Sequence, residues 1–118
     1  TYSKGACRKA CGLEKDEKLA CAIALGYGET QGVPHESKPL TELFELCSAA
    51  GKAPEWFVKG VEAAALAPTA LNRQNFNIVL LEDGRVRLEK QGACAALDLG
   101  IVRYHFEQGA GKENFEWA

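Results

Sequence analysis

The 118-residue sequence contains no methionine and carries no large excess of charge of either sign. Fourteen basic and sixteen acidic residues leave a net charge of −2, so the chain lacks the basic surface of a nucleic-acid-binding protein. No apolar run approaches the ~20 residues that a membrane-spanning helix needs. With 47% apolar and 25% charged residues, the composition is that of one globular domain, which we expect to be cytoplasmic.

Closely spaced cysteine pairs of the Cys-x-x-Cys type are also missing. The number of cysteines is odd, and most of them lie in alanine-rich or apolar segments, which favours reduced, buried thiols over a disulfide framework. Two of them are four residues apart and would share one face of a helix. A metal pair there is the alternative, although a closed zinc site needs four ligands. The cysteines are Cys7, Cys11, Cys21, Cys47 and Cys94.

Hydrophobic patterning in the first half predicts a helix, a strand and a second helix. Residues 2–13 have apolar residues at helical spacing and end near a glycine. Residues 19–25 are seven consecutive apolar residues, a length typical of a strand that is covered on both faces. Residues 39–50 begin with a proline that suits the first turn of a helix. One face of that helix would carry Leu40, Leu43, Phe44 and Cys47.

The second half predicts a helix, a hairpin and a long final helix. Prolines bound the helix at 54–67, which should stop near Ala67 because the residue before a proline avoids the α region. An Asp-Gly pair between two apolar runs predicts a hairpin over 75–89. Residues 94–111 form a helix that is apolar almost all round, so we expect it, with Tyr104 and His105, to be buried.

The predicted fold class is therefore α/β of the α+β kind. A small three-stranded sheet would be flanked by four helices, and the last residues, 112–118, would form a terminal strand or an arm. Such a sheet makes a thin core, which favours a missing partner. The absence of methionine at the start of the sequence is compatible with a chain that is part of a longer one.

Two glycine-rich segments do not match nucleotide-binding motifs. In GYGETQG, Gln31 stands where the dinucleotide fingerprint needs its third glycine, and no helix follows directly. Near the end of the chain, GAGKE resembles half a P-loop, but Phe106 and Glu113 replace the required glycine and hydroxyl residue. The sequence therefore predicts neither a Rossmann site nor a P-loop.

Two polar clusters remain as candidate binding residues. His35, Ser37 and Lys38 lie on one loop, where a lysine and a hydroxyl could bind a phosphate. The alternative is a solvated basic loop. The stretch APTALNRQNF, residues 67–76, offers a second set of donors and acceptors, whose alternative role is to cap the adjoining helix and strand.

At these residues the sequence resembles the nitroreductase family of flavoproteins. LAPTALNRQNF follows the family pattern Ala-Pro-(Ser/Thr)-Ala-x-Asn-x-Gln-x-(Phe/Trp) after an alanine-rich helix. GYGETQGVPHESKPL, PEWFVKGVEAAALAPTALNRQNF and DLGIVRYHFEQGAGKENFEW resemble the C-terminal portion of nitroreductases whose single chain carries two nitroreductase-like halves. The resemblance covers nearly the whole chain.

The resemblance implies an FMN-dependent oxidoreductase that uses NAD(P)H to reduce nitroaromatic, quinone or similar acceptors. In that family FMN lies between two protomers or two halves, and the hydride chemistry belongs to the flavin, so we expect no acid–base catalytic residue. Lys38 is expected near the phosphate and Gln74 at the edge of the site. The residues expected to contact the flavin ring are Pro68, Thr69, Ala70 and Asn72.

The sequence also departs from the family pattern. It has no Arg-x-Ser-x-Arg motif, which in the family clamps the phosphate and ribitol. We therefore expect residues 1–118 to be the C-terminal part of a nitroreductase-like domain without its flavin-clamping half, forming a homo-oligomer or a pseudo-dimer with that half. The alternatives are a non-catalytic ligand-binding or oligomerisation module, and an inert fragment that exchanges elements with a second copy.

Overall fold

The chain divides into two compact units, Thr1–Val33 and Pro34–Ala118, which are described separately below. The computed structural model describes residues 2–47, 51–93 and 96–118. Within these ranges no helix is long and apolar enough to cross a membrane. The ends of two predicted helices, at 48–50 and at 94–95, lie outside the described residues.

The first unit contains one helix, α1 (Lys4–Ala10), which confirms the first predicted element. Ser3 caps it, since its hydroxyl accepts a hydrogen bond from the Ala6 amide at 3.3 Å. Gly12 follows in the left-handed region at φ 63°, as the pattern predicted. None of the described residues in 2–33 is buried, so this unit has no core of its own.

The predicted strand at residues 19–25 does not form. The segment is irregular, and Ile23 and Leu25 are 80% and 93% exposed. A strand exists only where a neighbour pairs with its backbone groups, and among the described residues no backbone hydrogen bond reaches this segment. An apolar run therefore gave the wrong prediction because it shows a preference for burial but not the presence of a partner.

The prediction of buried thiols is also wrong for the cysteines that the structure describes. All four are free; Cys7 is half-buried, while Cys11, Cys21 and Cys47 are exposed. Three of them belong to the unit that has no core, which explains their exposure. Cys94 lies outside the described residues. Within the described ranges no group of three or more His, Cys, Asp or Glu side chains is arranged to hold a metal ion.

The second unit is built on a three-stranded sheet in the order β1–β2–β3. The strands are β1 (Phe44–Leu46), β2 (Phe76–Leu80) and β3 (Val86–Lys90). β1 runs parallel to β2, and β2 and β3 form the predicted antiparallel hairpin. The turn places Gly84 at φ 83°, a conformation in which glycine carries no steric penalty.

β1 replaces the helix predicted at residues 39–50. A short 3₁₀ turn, Leu40–Glu42, comes first, and the chain then extends beside β2. The Ile78 amide donates to the Leu43 carbonyl and the Cys47 amide donates to the Leu80 carbonyl, each at 2.9 Å. Pairing with a central strand therefore outweighs the helical spacing of the apolar residues, a preference that only the folded chain reveals.

Two helices cover the sheet, fewer than the four predicted around it. α2 (Glu55–Ala65) connects β1 to β2, and α3 (Ala96–Ala110) follows β3. The helices approach closely at glycines: a Cβ at Gly109 would lie 2.4 Å from the Lys59 carbonyl oxygen. Side chains that are at most 1% exposed form the core and include Leu43, Phe57, Val61, Phe76, Ile78, Val86, Val102 and Phe106.

Only one face of α3 is buried, although its sequence is apolar almost all round. Val102 and Phe106 face the core, whereas Leu97 and Tyr104 are 74% and 61% exposed. The prediction that Tyr104 is a buried packing residue is thus wrong. His105 is half-buried, and its Nδ1 lies 3.2 Å from the Ala63 carbonyl oxygen, which ties α3 to the last turn of α2.

The C-terminal residues form the predicted arm. After a 3₁₀ turn at Lys112–Asn114, Trp117 makes a parallel bridge with Val86 at the outer edge of β3. The Phe115 and Trp117 rings pack against Phe106 with centroid distances of 5.1 and 5.4 Å. This aromatic contact extends the core beyond the sheet.

Candidate functional site

The candidate site begins where α2 ends. Leu66 caps the helix, and the last turn closes with the Ala67 amide donating to the Ala64 carbonyl at 3.0 Å. The predicted stop near Ala67 is confirmed. Pro68 then turns the chain into an extended Thr69 and a 3₁₀ turn, Ala70–Asn72. We call residues 67–74 the 67–74 loop.

The 67–74 loop has an unusual backbone. Leu71, Asn72 and Gln74 all have positive φ, at 55°, 51° and 47°. The left-handed region costs roughly 1–2 kcal/mol for a residue with a Cβ, so it persists only where other contacts hold it. Leu71 carries this conformation while its side chain is 83% exposed. Contacts made by other residues of the loop and its surroundings therefore hold the backbone in this conformation.

Two hydrogen bonds fix the ends of the loop. The Thr69 hydroxyl accepts from the Gln74 amide at 3.0 Å, which closes the loop on itself. The Ala70 amide donates to Asp98 Oδ1 at 3.3 Å, and Asp98 is only 9% exposed in the first turn of α3. Sequence analysis did not identify Asp98. Its position as an acidic residue near a helix start was the available signal.

The Gln74 side chain is the most buried polar group of the site, at 2% exposure. Its Oε1 accepts from the Lys38 amide at 2.8 Å, and its Nε2 donates to the Glu36 carbonyl at 2.8 Å and to Asn72 Oδ1 at 3.0 Å. These partners fix the amide orientation, since the oxygen faces a donor and the nitrogen faces two acceptors. Both amide hydrogens are thus used inside the protein.

Asn72 also links the 67–74 loop to Glu36, from the solvent side. Its Nδ2 donates to the Glu36 carbonyl at 2.8 Å, and the residue itself is exposed. The Glu36 carbonyl therefore accepts from both Asn72 and Gln74. No sequence motif pointed to this carbonyl, because a backbone acceptor leaves no trace in residue type.

Lys38 lies beside the loop with its ammonium close to the backbone. Its Nζ donates to the Gln74 carbonyl at 3.3 Å, and the residue is half-buried. Among the residues that the structure describes, no carboxylate forms a salt bridge with Lys38. A carbonyl neutralises none of the ammonium charge, so this group retains its capacity to bind an anion.

His35 and Ser37 have a different role from Lys38. His35 Nε2 and Ser37 Oγ lie 2.9 and 3.0 Å from the Ala65 carbonyl oxygen. That carbonyl belongs to the last turn of α2, where helix carbonyls have no partner within the helix. The two side chains therefore cap α2 from residues 34–38, which we call the 34–38 segment.

The structure brings the six predicted cofactor residues to one place. Lys38 reaches the 67–74 loop directly, and the other five belong to that loop. The capping interpretation holds for Gln74, whose side chain is consumed by internal hydrogen bonds. Among the hydrogen bonds of the described residues, the Lys38 ammonium donates only to the Gln74 carbonyl and the Thr69 hydroxyl donates to none, beside an exposed Leu71. This donor set fits a ligand that joins an anionic group to a planar polar ring.

Comparisons with known proteins give the family and the fold of the chain. The family model described as "Putative TM nitroreductase" matches residues 1–110. A crystal structure described as that of a "putative nitroreductase" from Thermotoga maritima is similar to this chain, with 29% sequence identity and a TM-score of 0.59 over 77% of the chain. The matched region is 40% of the Thermotoga protein, so the chain spans less than half of its length. No curated protein matches the chain.

The family model covers all of the second unit except its C-terminal arm, together with the first unit. It includes the 34–38 segment and the whole 67–74 loop. The resemblance seen in LAPTALNRQNF and the predicted α+β nitroreductase-like fold are both confirmed. The chain belongs to the family described as "Putative TM nitroreductase".

Proposed function

We propose that this chain is part of an FMN-dependent oxidoreductase that uses NAD(P)H to reduce nitroaromatic, quinone or similar acceptors. Membership of a nitroreductase family supports this function. FMN, when bound, supplies the hydride and electron transfer chemistry through its flavin ring. The residues of this chain then have three tasks, which are to bind the cofactor, to orient it and to exclude water from it.

The observation that carries the proposal is the junction between Lys38 and the 67–74 loop. The loop presents Pro68, Thr69, Ala70 and Asn72 on a backbone that is held in a strained conformation, as expected of a preorganised binding loop. Lys38 provides a cation at the same junction, which suits the FMN phosphate. Gln74 borders the site from inside the protein.

A second part of the site is proposed to come from outside these residues. The chain has no Arg-x-Ser-x-Arg motif, and one lysine is a weaker phosphate ligand than a bidentate arginine clamp. We propose that a second copy of the chain, or another part of a longer chain, completes the phosphate site. A homo-oligomer or a pseudo-dimer would provide such a partner.

The first experiment is a visible absorption spectrum of the purified chain, before and after incubation with FMN and dialysis. Flavin bands that survive dialysis are expected if an oligomer of this chain completes the site, and NADH and NADPH oxidation with a quinone acceptor would then be measured. A protein that stays colourless after loading would contradict flavin binding by this chain.

Lys38→Ala tests the phosphate contact. We expect the Kd for FMN to rise about tenfold, because a charge-assisted hydrogen bond is lost, while the Kd for riboflavin stays within about twofold. Riboflavin has no phosphate, so it isolates the ring. The control is Lys59→Ala on α2. Lys59 is not part of the loop, and its Nζ lies 2.7 Å from Glu55 Oε1. Equal losses for FMN and riboflavin would remove Lys38 from the phosphate site.

The second candidate function is a non-catalytic oligomerisation module, which the exposed face of α3 favours. Leu97 and Tyr104 present apolar area to solvent on that helix. Light scattering on the chain and on Leu97→Lys separates the candidates, since a module would lose its oligomeric state without ever binding flavin. We propose the cytoplasm as the location of the chain, because the four cysteines among the described residues are free thiols, which suit a reducing compartment.

A further inference from the structure

We propose that Gln74 is a positioning residue that fastens the 34–38 segment to the 67–74 loop, so that Lys38 and Asn72 keep a fixed relation to each other. The identity of the ligand rests on the proposed function. The fastening itself depends only on contacts within the chain, and the two can therefore fail separately.

Gln74 holds Lys38 at two points. The side-chain Oε1 accepts from the Lys38 backbone amide at 2.8 Å, and the Gln74 backbone carbonyl accepts from Lys38 Nζ at 3.3 Å. The first bond places the Lys38 backbone and the second directs its ammonium. One residue thus determines both the position and the direction of the candidate phosphate ligand.

The remaining hydrogen bonds of Gln74 extend the connection to the loop. Nε2 donates to the Glu36 carbonyl and to Asn72 Oδ1, so a single amide group touches both segments. The two side-chain bonds that join the segments link residues that are separated by 36 and 38 positions in the sequence. Because the side chain is 2% exposed, water cannot replace these partners, and removing any of them leaves a buried polar group unsatisfied.

Asn72 makes a parallel connection that is weaker for a physical reason. Its Nδ2 also donates to the Glu36 carbonyl at 2.8 Å, but Asn72 is exposed, so water can take the place of this partner at the Asn72 amide. Gln74 itself has a positive φ of 47°. A residue in this strained region needs contacts that hold it, and the side chain supplies three of them.

The test uses Gln74→Met, which keeps the length and volume of the side chain and removes its three hydrogen bonds. Gln108→Met is the matched control, since Gln108 is exposed on α3. Amide hydrogen exchange is measured residue by residue on the unliganded chain. We expect the Lys38 amide to exchange about tenfold faster or more in Gln74→Met, while Ile78 and Val79 in β2 change by less than about twofold.

Flavin affinities give a second readout. In Gln74→Met the preference for FMN over riboflavin should fall about as far as in Lys38→Ala, although the Gln74 amide makes its hydrogen bonds within the protein. Adding Lys38→Ala to Gln74→Met should then lower the preference by less than about twofold, because a misplaced lysine already contributes little to FMN binding. If Gln74 only stabilised the fold, Gln74→Met would raise the Kd for FMN and the Kd for riboflavin by the same factor.

The outcomes separate the two proposals. Unchanged Lys38 exchange in Gln74→Met overturns the positioning role, and so does a uniform rise across β2, which would make Gln74 an ordinary core residue. An unchanged FMN preference in a variant that still binds flavin overturns it as well. If Gln74→Met speeds exchange at the Lys38 amide although the wild-type chain binds no flavin, flavin binding by this chain is contradicted and the fastening is supported.

Discussion

Residues 19–25 and β2, Phe76–Leu80, are both short apolar segments, yet they end in opposite states. The first is the longer apolar run, and its Ile23 is 80% exposed on an irregular backbone. β2 contains an asparagine and is nevertheless the central strand, with Ile78 fully buried between β1 and β3. The difference lies in the partners: β2 has a strand on each side and helices that cover it, which local composition does not report.

Alanine substitution of one isoleucine in each segment tests this difference and has the largest expected effect. Ile78→Ala should lower the free energy of unfolding by about 3 kcal/mol, since it removes buried apolar volume and leaves a cavity in the core. Ile23→Ala should change it by less than about 0.5 kcal/mol. Urea denaturation measures both. A loss at Ile23 comparable to that at Ile78 would mean that residues 19–25 are buried in solution.

The packing between α2 and α3 offers a second comparison, between two glycines of one helix. Gly109→Ala should cost about 1–3 kcal/mol, because the new Cβ would lie 2.4 Å from the Lys59 carbonyl oxygen and would push the helices apart. Gly100→Ala should instead stabilise the chain by about 0.5–1 kcal/mol, since no described residue beyond its own helical turns comes within 4 Å of the added Cβ. Thermal unfolding of the pair decides, and shifts of the same sign would contradict the close approach.

The smallest expected effect on stability concerns the C-terminal arm, which pairs with β3, whereas residues 19–25 pair with no strand among the described residues. The Lys112 ammonium lowers the pKa of Glu107, and hydrogen bonds from Trp117 and Arg103 act in the same direction against the effect of burial. The carboxylate is 12% exposed and accepts from Lys112 Nζ at 2.9 Å and from Trp117 Nε1 at 2.9 Å. It therefore anchors the arm to α3.

Because the pKa of Glu107 is lower in the folded chain, its contribution to stability is present above the ordinary glutamate pKa of about 4.3 and is lost as the pH falls through the lowered value. Glu107→Gln should cost about 1 kcal/mol at pH 7 and clearly less at acidic pH. Unfolding measured from pH 7 down to pH 3 checks this. A cost that is independent of pH would show that the carboxylate charge contributes nothing.

Local sequence signals predicted the structure correctly where a residue determines the conformation of its own backbone or that of its neighbours. The Asp83-Gly84 turn, the stop of α2 near Ala67 and the extent of the 94–111 helix follow from turn chemistry, proline sterics and periodicity, and the structure confirms them within its described residues. The motif LAPTALNRQNF likewise identified the loop and the family. These features need no knowledge of distant residues.

Local signals failed where a distant partner decides. Residues 44–46 have helical spacing but form a strand, because β2 offers its edge. The candidate site shows the same limit. Sequence analysis selected Lys38 and Gln74 as separate ligand contacts, whereas the fold joins them through the buried Gln74 amide. The Glu36 carbonyl could not be selected, since its role depends on which segments meet.

By itself, the sequence determined the turn and helix boundaries, the polar composition of the 67–74 loop and the family of the chain, because each of these depends on residues within a few positions of one another. Only the tertiary structure decided which apolar segments became strands and how the loop is held. The physical reason is common to both: backbone and buried polar groups are stable only with partners. The partners that pair β1 with β2 and that tie Gln74 to the 34–38 segment lie more than 30 residues away in sequence.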